Sequence, residues 1–288
     1  MWILAAGVLS SACQQRLVRT APPPSVRLVA IGDLHGDLDN ALDTLRLSGV
    51  IDGSDHWSAG DATVVQTGDI TDRGPDSRAL IALLRRLQGE AELSGGRLVP
   101  LLGNHEVMNL VGDWRYVHPG DVEAYGGEGA RRAALSPSGS DGAWLRGLDT
   151  VAVLHEVAFV HGGVSPELAA LGVETLNDSV RAAIDADPFS PVLGESGPLW
   201  YREYVQDPED VVCPRLATAL QHLKATRMVV GHTTQRDGHI LTRCGGALAV
   251  IDIGIADGYG GHRGAWELVS GDARARYPSG PLDLEDPR

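Results

Sequence analysis

The chain has 288 residues, is 43% apolar and carries a net charge of −14 with a pI of about 5.0. That is enough apolar sequence to bury a sizeable core, as one large domain or a domain with insertions. The acidic balance excludes a broad basic footprint, so no nucleic-acid partner is expected.

The first segment, Met1 to Cys13, holds the apolar run Trp2-Ile3-Leu4-Ala5-Ala6-Gly7-Val8-Leu9 and ends in Ser10-Ser11-Ala12-Cys13. It is too short to span a bilayer and reads as the apolar stretch and small-residue end of a secretory signal. The ending resembles a bacterial lipoprotein box with Cys13 as the lipidated residue, although no basic residue precedes the run and Leu9 lies one position too far from Cys13. The expectation is export, to the periplasm or to a lipid anchor at the cell envelope, with the cytoplasm as the alternative. A lipid on Cys13 would be the sole membrane contact. Residues 1–25 thus form a signal- or lipoprotein-like segment closed by the linker Thr20-Ala21-Pro22-Pro23-Pro24-Ser25. With Cys13 spent, Cys213 and Cys244 are left either to pair in an exported protein or to stay as free thiols.

From Val26 onward strand-length apolar runs recur: Val26–Ile31, Ala62–Gln66, Arg97–Leu102, Val151–Leu154, Val157–Val160, Arg227–Val230 and Ala247–Ile253. Helical patterns separate the first three. Asp37 to Leu47 places Leu38, Leu42 and Leu45 at helical spacing, and Asp76 to Leu87 places Leu80, Leu83, Leu84 and Leu87 on one face. Alternating strands and helices argue for an α/β layered fold over residues 26–277. Segments 109–150 and 165–215 break this rhythm and read as insertions over one edge of the sheets, either a lid or padding. Residues 278–288 read as a frayed tail.

Chemistry concentrates where strands end. Val26–Ile31 runs into Gly32-Asp33-Leu34-His35-Gly36, and Ala62–Gln66 into Thr67-Gly68-Asp69-Ile70-Thr71-Asp72-Arg73-Gly74. Arg97–Leu102 runs into Gly103-Asn104-His105-Glu106, Val157–Val160 into His161-Gly162-Gly163, and Arg227–Val230 into Gly231-His232. In open α/β sheets ligands bind outside the carboxyl ends of strands. Asp, His and Asn without thiolate suit Mn²⁺, Fe or Zn²⁺ with water bound. A carboxylate shared between two ions would hold them about 3.5–4 Å apart, and their surplus positive charge would bind phosphate on an otherwise acidic protein.

These ordered motifs resemble the phosphoprotein phosphatase superfamily of the calcineurin-like metallophosphoesterases. Leu199-Trp200-Tyr201-Arg202, Asp252-Ile253-Gly254 and Gly260-Gly261 are most similar to the Shewanella-like bacterial protein phosphatases, and the resemblance spans roughly residues 26 to 270. It implies a two-sheet β-sandwich flanked by helices. It also implies two divalent metal ions, Mn foremost with Fe or Zn as alternatives. By motif position Asp33 and His35 bind the first, Asp69 bridges, and Asn104, His161 and His232 bind the second. The implied activity is hydrolysis of a phosphomonoester on a phosphorylated protein (phosphotyrosine or phosphoserine/threonine) or a small molecule, by a metal-bridging hydroxide. His105 would be the general acid, oriented by Asp72, with Arg73, Asn104 and Arg202 on the phosphate. The eukaryotic branches carry an Asn-Tyr pair over the site; Tyr259 lies in the matching stretch here but is not counted among the site residues.

Two other readings compete. A diadenosine tetraphosphatase-like nucleotide hydrolase shares the motifs and would need base-stacking aromatics, for which Trp114, Tyr116, Trp144, Trp200 and Tyr201 are candidates. A non-enzymatic, metal-stabilised binding module would saturate its metal ligands and would need neither Arg73 nor His105.

Overall fold

The computed structural model describes residues 27–287, so the signal-like segment, Cys13 and the Pro-rich linker lie outside the described residues. The chain opens with β1 (Arg27–Ile31), α1 (Leu38–Leu47), β2 (Thr63–Gln66), α2 (Ser77–Leu93) and β3 (Arg97–Pro100). The Asp37 side chain caps α1 by accepting the Asn40 N–H at 3.0 Å. Helix α2 buries Leu80, Leu83, Leu84 and Leu87, the face its periodicity marks.

Four short helices follow: α3 (Asn104–Leu110), α4 (Pro119–Ala124), α5 (Glu128–Leu135) and α6 (Ser140–Arg146). The hairpin β4 (Val151–Leu154) and β5 (Val157–Val160) leads to α7 (Pro166–Ala169), α8 (Val173–Ala186), α9 (Glu203–Gln206) and α10 (Glu209–Leu223). The chain closes with β6 (Arg227–Val230), β7 (Leu241–Arg243), β8 (Leu248–Val250), β9 (Ala265–Val269), β10 (Asp272–Tyr277) and β11 (Gly280–Asp283).

These strands form two mixed sheets, ordered β11-β10-β9-β1-β2-β3 and β4-β5-β6-β8-β7. In the first sheet β1, β2 and β3 run parallel, and in the second β5, β6 and β8 do. The second sheet shows how alternation builds the layers. Val157, Phe159, Val229 and Ala249 point into the core shared with the first sheet, where the rings of Phe159 and Trp266 lie 6.0 Å apart. Their neighbours Ala158, Val160, Met228, Val230, Leu248 and Val250 pack with Val212, Leu216, Ala219 and Leu220 of α10. The result is a two-sheet sandwich flanked by helices.

The two segments that break the sequence rhythm are largely helical. Their buried faces carry polar residues, which weakens the apolar period. In α8, Leu176, Val180 and Ile184 are buried beside Asn177. The Asn177 side chain accepts the N–H groups of Thr150 and Val151 at 2.9 Å and donates to the Val151 carbonyl at 2.9 Å, standing in for a strand neighbour. In α4 and α5 the buried polar residues are Asp121 and Arg131. Cys213 and Cys244 form a disulfide that ties α10 to the turn after β7, with Cα atoms 5.4 Å apart.

One expectation is corrected. Residues 278–288 are not simply a frayed tail: Gly280–Asp283 pairs antiparallel with β10 as the edge strand β11, and Asp286 forms an ion pair with Arg227. The short turn between β10 and β11, with Gly280 at a φ of 115°, returns the chain onto the sheet edge.

Strand β9 holds a buried acid that no apolar pattern marks. Glu267 accepts from Arg27 Nε at 2.9 Å and from Arg276 Nε at 2.8 Å, joining β1, β9 and β10. Burial opposes its charge, yet the arginine partners hold its carboxyl below the ordinary range. Glu267→Gln is therefore expected to cost about 2 kcal/mol of stability at neutral pH. A carboxylate with a lowered folded-state pKa stabilises fully above its unfolded value, and the benefit disappears as pH falls through the folded value. Thermal melts against pH should then show the variant and the parent converging in acid; a constant gap would count against this cluster.

Candidate metal centre

All five motif loops leave the carboxyl ends of parallel strands and meet at one end of the sandwich. Asp33 and His35 follow β1, Asp69, Asp72 and Arg73 follow β2, and Asn104 and His105 open α3 after β3. The second sheet supplies His161 after β5 and His232 after β6. The turns are tight enough to place site residues in left-handed backbone: His35, Asp69, Asp72, Arg73 and His232 have φ of 44°, 54°, 71°, 67° and 65°. Such conformations are costly for non-glycine residues and persist where the surroundings enforce them. Glycine is required beside them, because a Cβ on Gly231 would collide with Asp33 Oδ1 and one on Gly103 with Asp69 Oδ1.

Asp69 is the centre of the cluster. Its Oδ2 lies 3.3 Å from His161 Nε2, 3.7 Å from His35 Nε2 and 3.9 Å from His105 Nε2. His35 Nε2 is also 3.9 Å from Asp33 Oδ2. On the other side Asn104 Oδ1 approaches His161 Nε2 to 2.8 Å, and His232 Nδ1 approaches the same nitrogen to 3.1 Å. Two groups able to hold a metal ion result, His35–Asp69–His105 and Asp69–His161–His232, and they share Asp69.

Glu106 holds the loops that carry these groups. It is fully buried and accepts the N–H of Asp69 at 2.8 Å, of Gly103 at 2.8 Å and of Thr71 at 2.9 Å. Its side chain thus caps α3 and clamps the β2 loop to the β3 loop.

The electrostatics fit bound cations. Asp33, Asp69, Asp252 and Glu106 are buried together, and among the described residues none forms an ion pair with arginine or lysine. Burial, then the Asp252 and Asp69 charges, push the Asp33 carboxyl well above its ordinary pKa. Burial pushes His35 down to about 4 and, with His161 beside it, His232 down to about 2. These imidazoles are neutral at physiological pH, the form that binds metal. His232 Nε2 is buried with no hydrogen-bond partner among the described residues. Clustered buried carboxylates, neutral imidazoles and an orphaned ring nitrogen are what a cation would satisfy.

His105 is set apart from the other imidazoles. Its Nδ1 lies 2.8 Å from Asp72 Oδ2, and Asp72 is fully buried. Burial alone would lower the His105 pKa, but the Asp69 and Asp72 charges outweigh it and raise the value. The ring is thereby biased toward holding a proton.

A cavity of about 210 Å³ lies over the cluster, lined by His35, Asp69, Arg73, Asn104, His105 and His232 together with Tyr116, Trp200, Arg202, Thr234 and Tyr259. Arg73 stacks on Tyr116, with its guanidinium carbon 3.8 Å from the ring centroid, and its backbone N–H donates to the Tyr116 carbonyl at 2.9 Å. Neither Arg73 nor Arg202 forms an ion pair with a described residue, so both guanidinium groups are available to an anion.

Of the aromatic candidates, Tyr116 and Trp200 reach the cavity. Tyr201 packs against Tyr204 in the core, Trp144 bonds Gln88, and Trp114 stacks on Arg131. Tyr259, left out of the sequence-based site, stacks on His35 at 4.7 Å and lines the cavity. Asp252, whose carboxylate accepts from Thr234 at 2.6 Å, stands out in the sequence only within Asp252-Ile253-Gly254, part of the resemblance to the Shewanella-like phosphatases.

Comparison with known proteins gives a consistent answer. The family model described as calcineurin-like phosphoesterase matches residues 26–236. An uncharacterised protein of Schizosaccharomyces pombe is 40% identical over 257 residues, covering 84% of this chain and 77% of that protein. Shewanella-like protein phosphatase 2 of Arabidopsis thaliana is 32% identical, covering 85% of this chain and 75% of the relative. Among solved structures, the cold-active protein-tyrosine phosphatase of a psychrophilic Shewanella species superposes with a TM-score of 0.80 at 29% identity, covering 90% of this chain and 80% of that one.

Proposed function

Because the chain belongs to the calcineurin-like phosphoesterases, we propose that it is a protein phosphatase hydrolysing phosphomonoesters at the centre around Asp69. The observation that carries this reading is the shared carboxylate. Asp69 belongs to both candidate metal groups and lies beside the His105 imidazole that Asp72 holds, in a cavity also lined by Arg73 and Arg202, neither of which pairs with a described acid. In this reading Asp33, His35 and Asp69 hold one divalent ion, and Asp69, Asn104, His161 and His232 hold the second. When bound, the two ions supply an activated water and charge neutralisation for the phosphoryl group.

The chain's own residues do the rest. Arg73 and Arg202, which line the cavity with Asn104, bind the non-bridging phosphate oxygens. Tyr116 keeps the Arg73 fork in place by stacking beneath it. Asp72 accepts a hydrogen bond from the Nδ1–H of His105, which leaves Nε2–H toward the cavity to give its proton to the leaving oxygen. Tyr116, Trp200 and Tyr259 supply the aromatic walls of the cavity that would receive the phosphate. The Cys213–Cys244 disulfide supports an oxidising compartment, in keeping with export.

The test is a panel of phosphotyrosine peptide, phosphoserine peptide, small aryl phosphates and diadenosine tetraphosphate, run with added Mn²⁺, Fe²⁺ or Zn²⁺ and with chelator. Turnover of a phosphopeptide that needs metal and stops with chelator is expected. Preference for the dinucleotide would replace the protein phosphatase by the nucleotide hydrolase, and bound metal without turnover of any ester would leave a binding module.

A further inference from the structure

We propose that Asn109 and Arg131 are positioning residues for the proton donor: they hold Asp72, and through it fix the ring of His105. This rests on the phosphoesterase reading of the site. The two oxygens of Asp72 are divided between tasks. Oδ2 meets His105 Nδ1 at 2.8 Å, while Oδ1 accepts from Asn109 Nδ2 at 2.8 Å and lies 3.9 Å from Arg131 Nη2. Asn109 Nδ2 also donates to the His105 carbonyl at 2.9 Å, so one amide grips both members of the pair.

Arg131 is buried, with 1% of its surface exposed. Its Nε donates to the fully buried Asp121 at 2.8 Å, and its guanidinium carbon lies 4.9 Å from the Trp114 ring and 5.8 Å from that of Tyr125. Arg131 is thus the cation set between two carboxylates with no access to water, Asp121 and Asp72. A carboxylate turns readily about its terminal bond. Anchoring Oδ1 keeps Oδ2 on Nδ1, and that contact keeps Nε2 toward the cavity, as an outer partner orients a working imidazole elsewhere. The bland alternative is that Arg131 and Asp121 only pack α4 and α5 together. It does not account for an amide from α3 and a guanidinium from α5 approaching the same oxygen.

Asn109→Leu removes the donor at similar volume. Arg131→Met removes the charge, and Arg131→Lys keeps charge without the planar fork. For Asn109→Leu, kcat on phenyl and alkyl phosphates is expected to fall roughly 10–100-fold, while kcat on p-nitrophenyl phosphate, whose leaving group needs little protonation, falls no more than about threefold. KM and bound metal should stay at the parent's values, and Arg131→Lys should fall between the parent and Arg131→Met. Equal losses on all esters, or none, would overturn the proposal, because packing or metal loss does not discriminate leaving groups. If the arginine variants fail to fold, Asn109→Leu alone decides. A crystal structure of the metal-loaded Asn109→Leu protein gives a readout independent of turnover. The 2.8 Å contact between His105 and Asp72 is expected to open beyond about 3.5 Å, and its retention overturns the proposal even if the parent hydrolyses no phosphoester, an outcome that would sink the functional reading separately.

Discussion

Asp69→Asn is expected to abolish metal-dependent hydrolysis while leaving the fold intact. Asparagine has nearly the same volume, and its oxygen can still accept the His105 N–H that Asp69 Oδ1 takes at 3.0 Å. What disappears is the carboxylate charge of Asp69, whose Oδ2 lies 3.3–3.9 Å from three imidazoles and which belongs to both candidate metal groups. If the two groups hold ions as proposed, losing the carboxylate common to both would weaken both sites together, whereas losing a ligand of one group would weaken one. Forfeiting roughly 4 kcal/mol of Lewis-acid stabilisation corresponds to about a 10³-fold drop in kcat. Elemental analysis should find less than the parent's metal content, and circular dichroism should be unchanged. An unaltered turnover number would remove the two-metal assignment.

His105→Ala should separate substrates and leave metal binding intact. The imidazole is held by Asp72 at 2.8 Å and biased toward its protonated form, so its loss deprives the leaving oxygen of a proton. Alkyl phosphates depend on that proton most, and their kcat should fall roughly 10²–10³-fold. For p-nitrophenyl phosphate the fall should stay within about tenfold. Steady-state kinetics on the two ester classes, with metal content measured in parallel, is the check. A uniform fall with reduced metal content would mean that His105 serves as a ligand in the His35–Asp69–His105 group.

Much of the fold was legible because the early strands are short apolar runs closed by Gly-flanked polar residues. Val26–Ile31 and Arg227–Val230 match β1 and β6 to within a residue. Strands β7, β9, β10 and β11 were not legible. Strand β9 buries Glu267 within an apolar run, β10 alternates alanine with arginine, and β11 is an exposed edge containing Pro281. Local pattern cannot report a charge that is satisfied by two arginines, one of them 240 positions away. The same limit hid Asn177, Asp121 and Arg131, whose polar side chains complete buried networks inside helices that otherwise look weakly periodic.

By itself the sequence determined the chemistry on offer. Each motif is a strand, a turn and a polar residue, all set by neighbours along the chain. Asp33, His35, Asp69, Asn104, His161 and His232 could therefore be named as candidate ligands without coordinates. Only the tertiary structure decided how these pieces meet. The His232 N–H reaches Asp33 across 199 positions, His161 from the second sheet reaches Asp69 from the first, and Tyr259 stacks on His35. The division of the Asp72 carboxylate between His105 and the Asn109–Arg131 pair is likewise a product of packing. The physical reason is common to these cases: ligand identity is a local property of side chains, whereas distance, burial and the sharing of one carboxylate depend on two sheets closing over a single core.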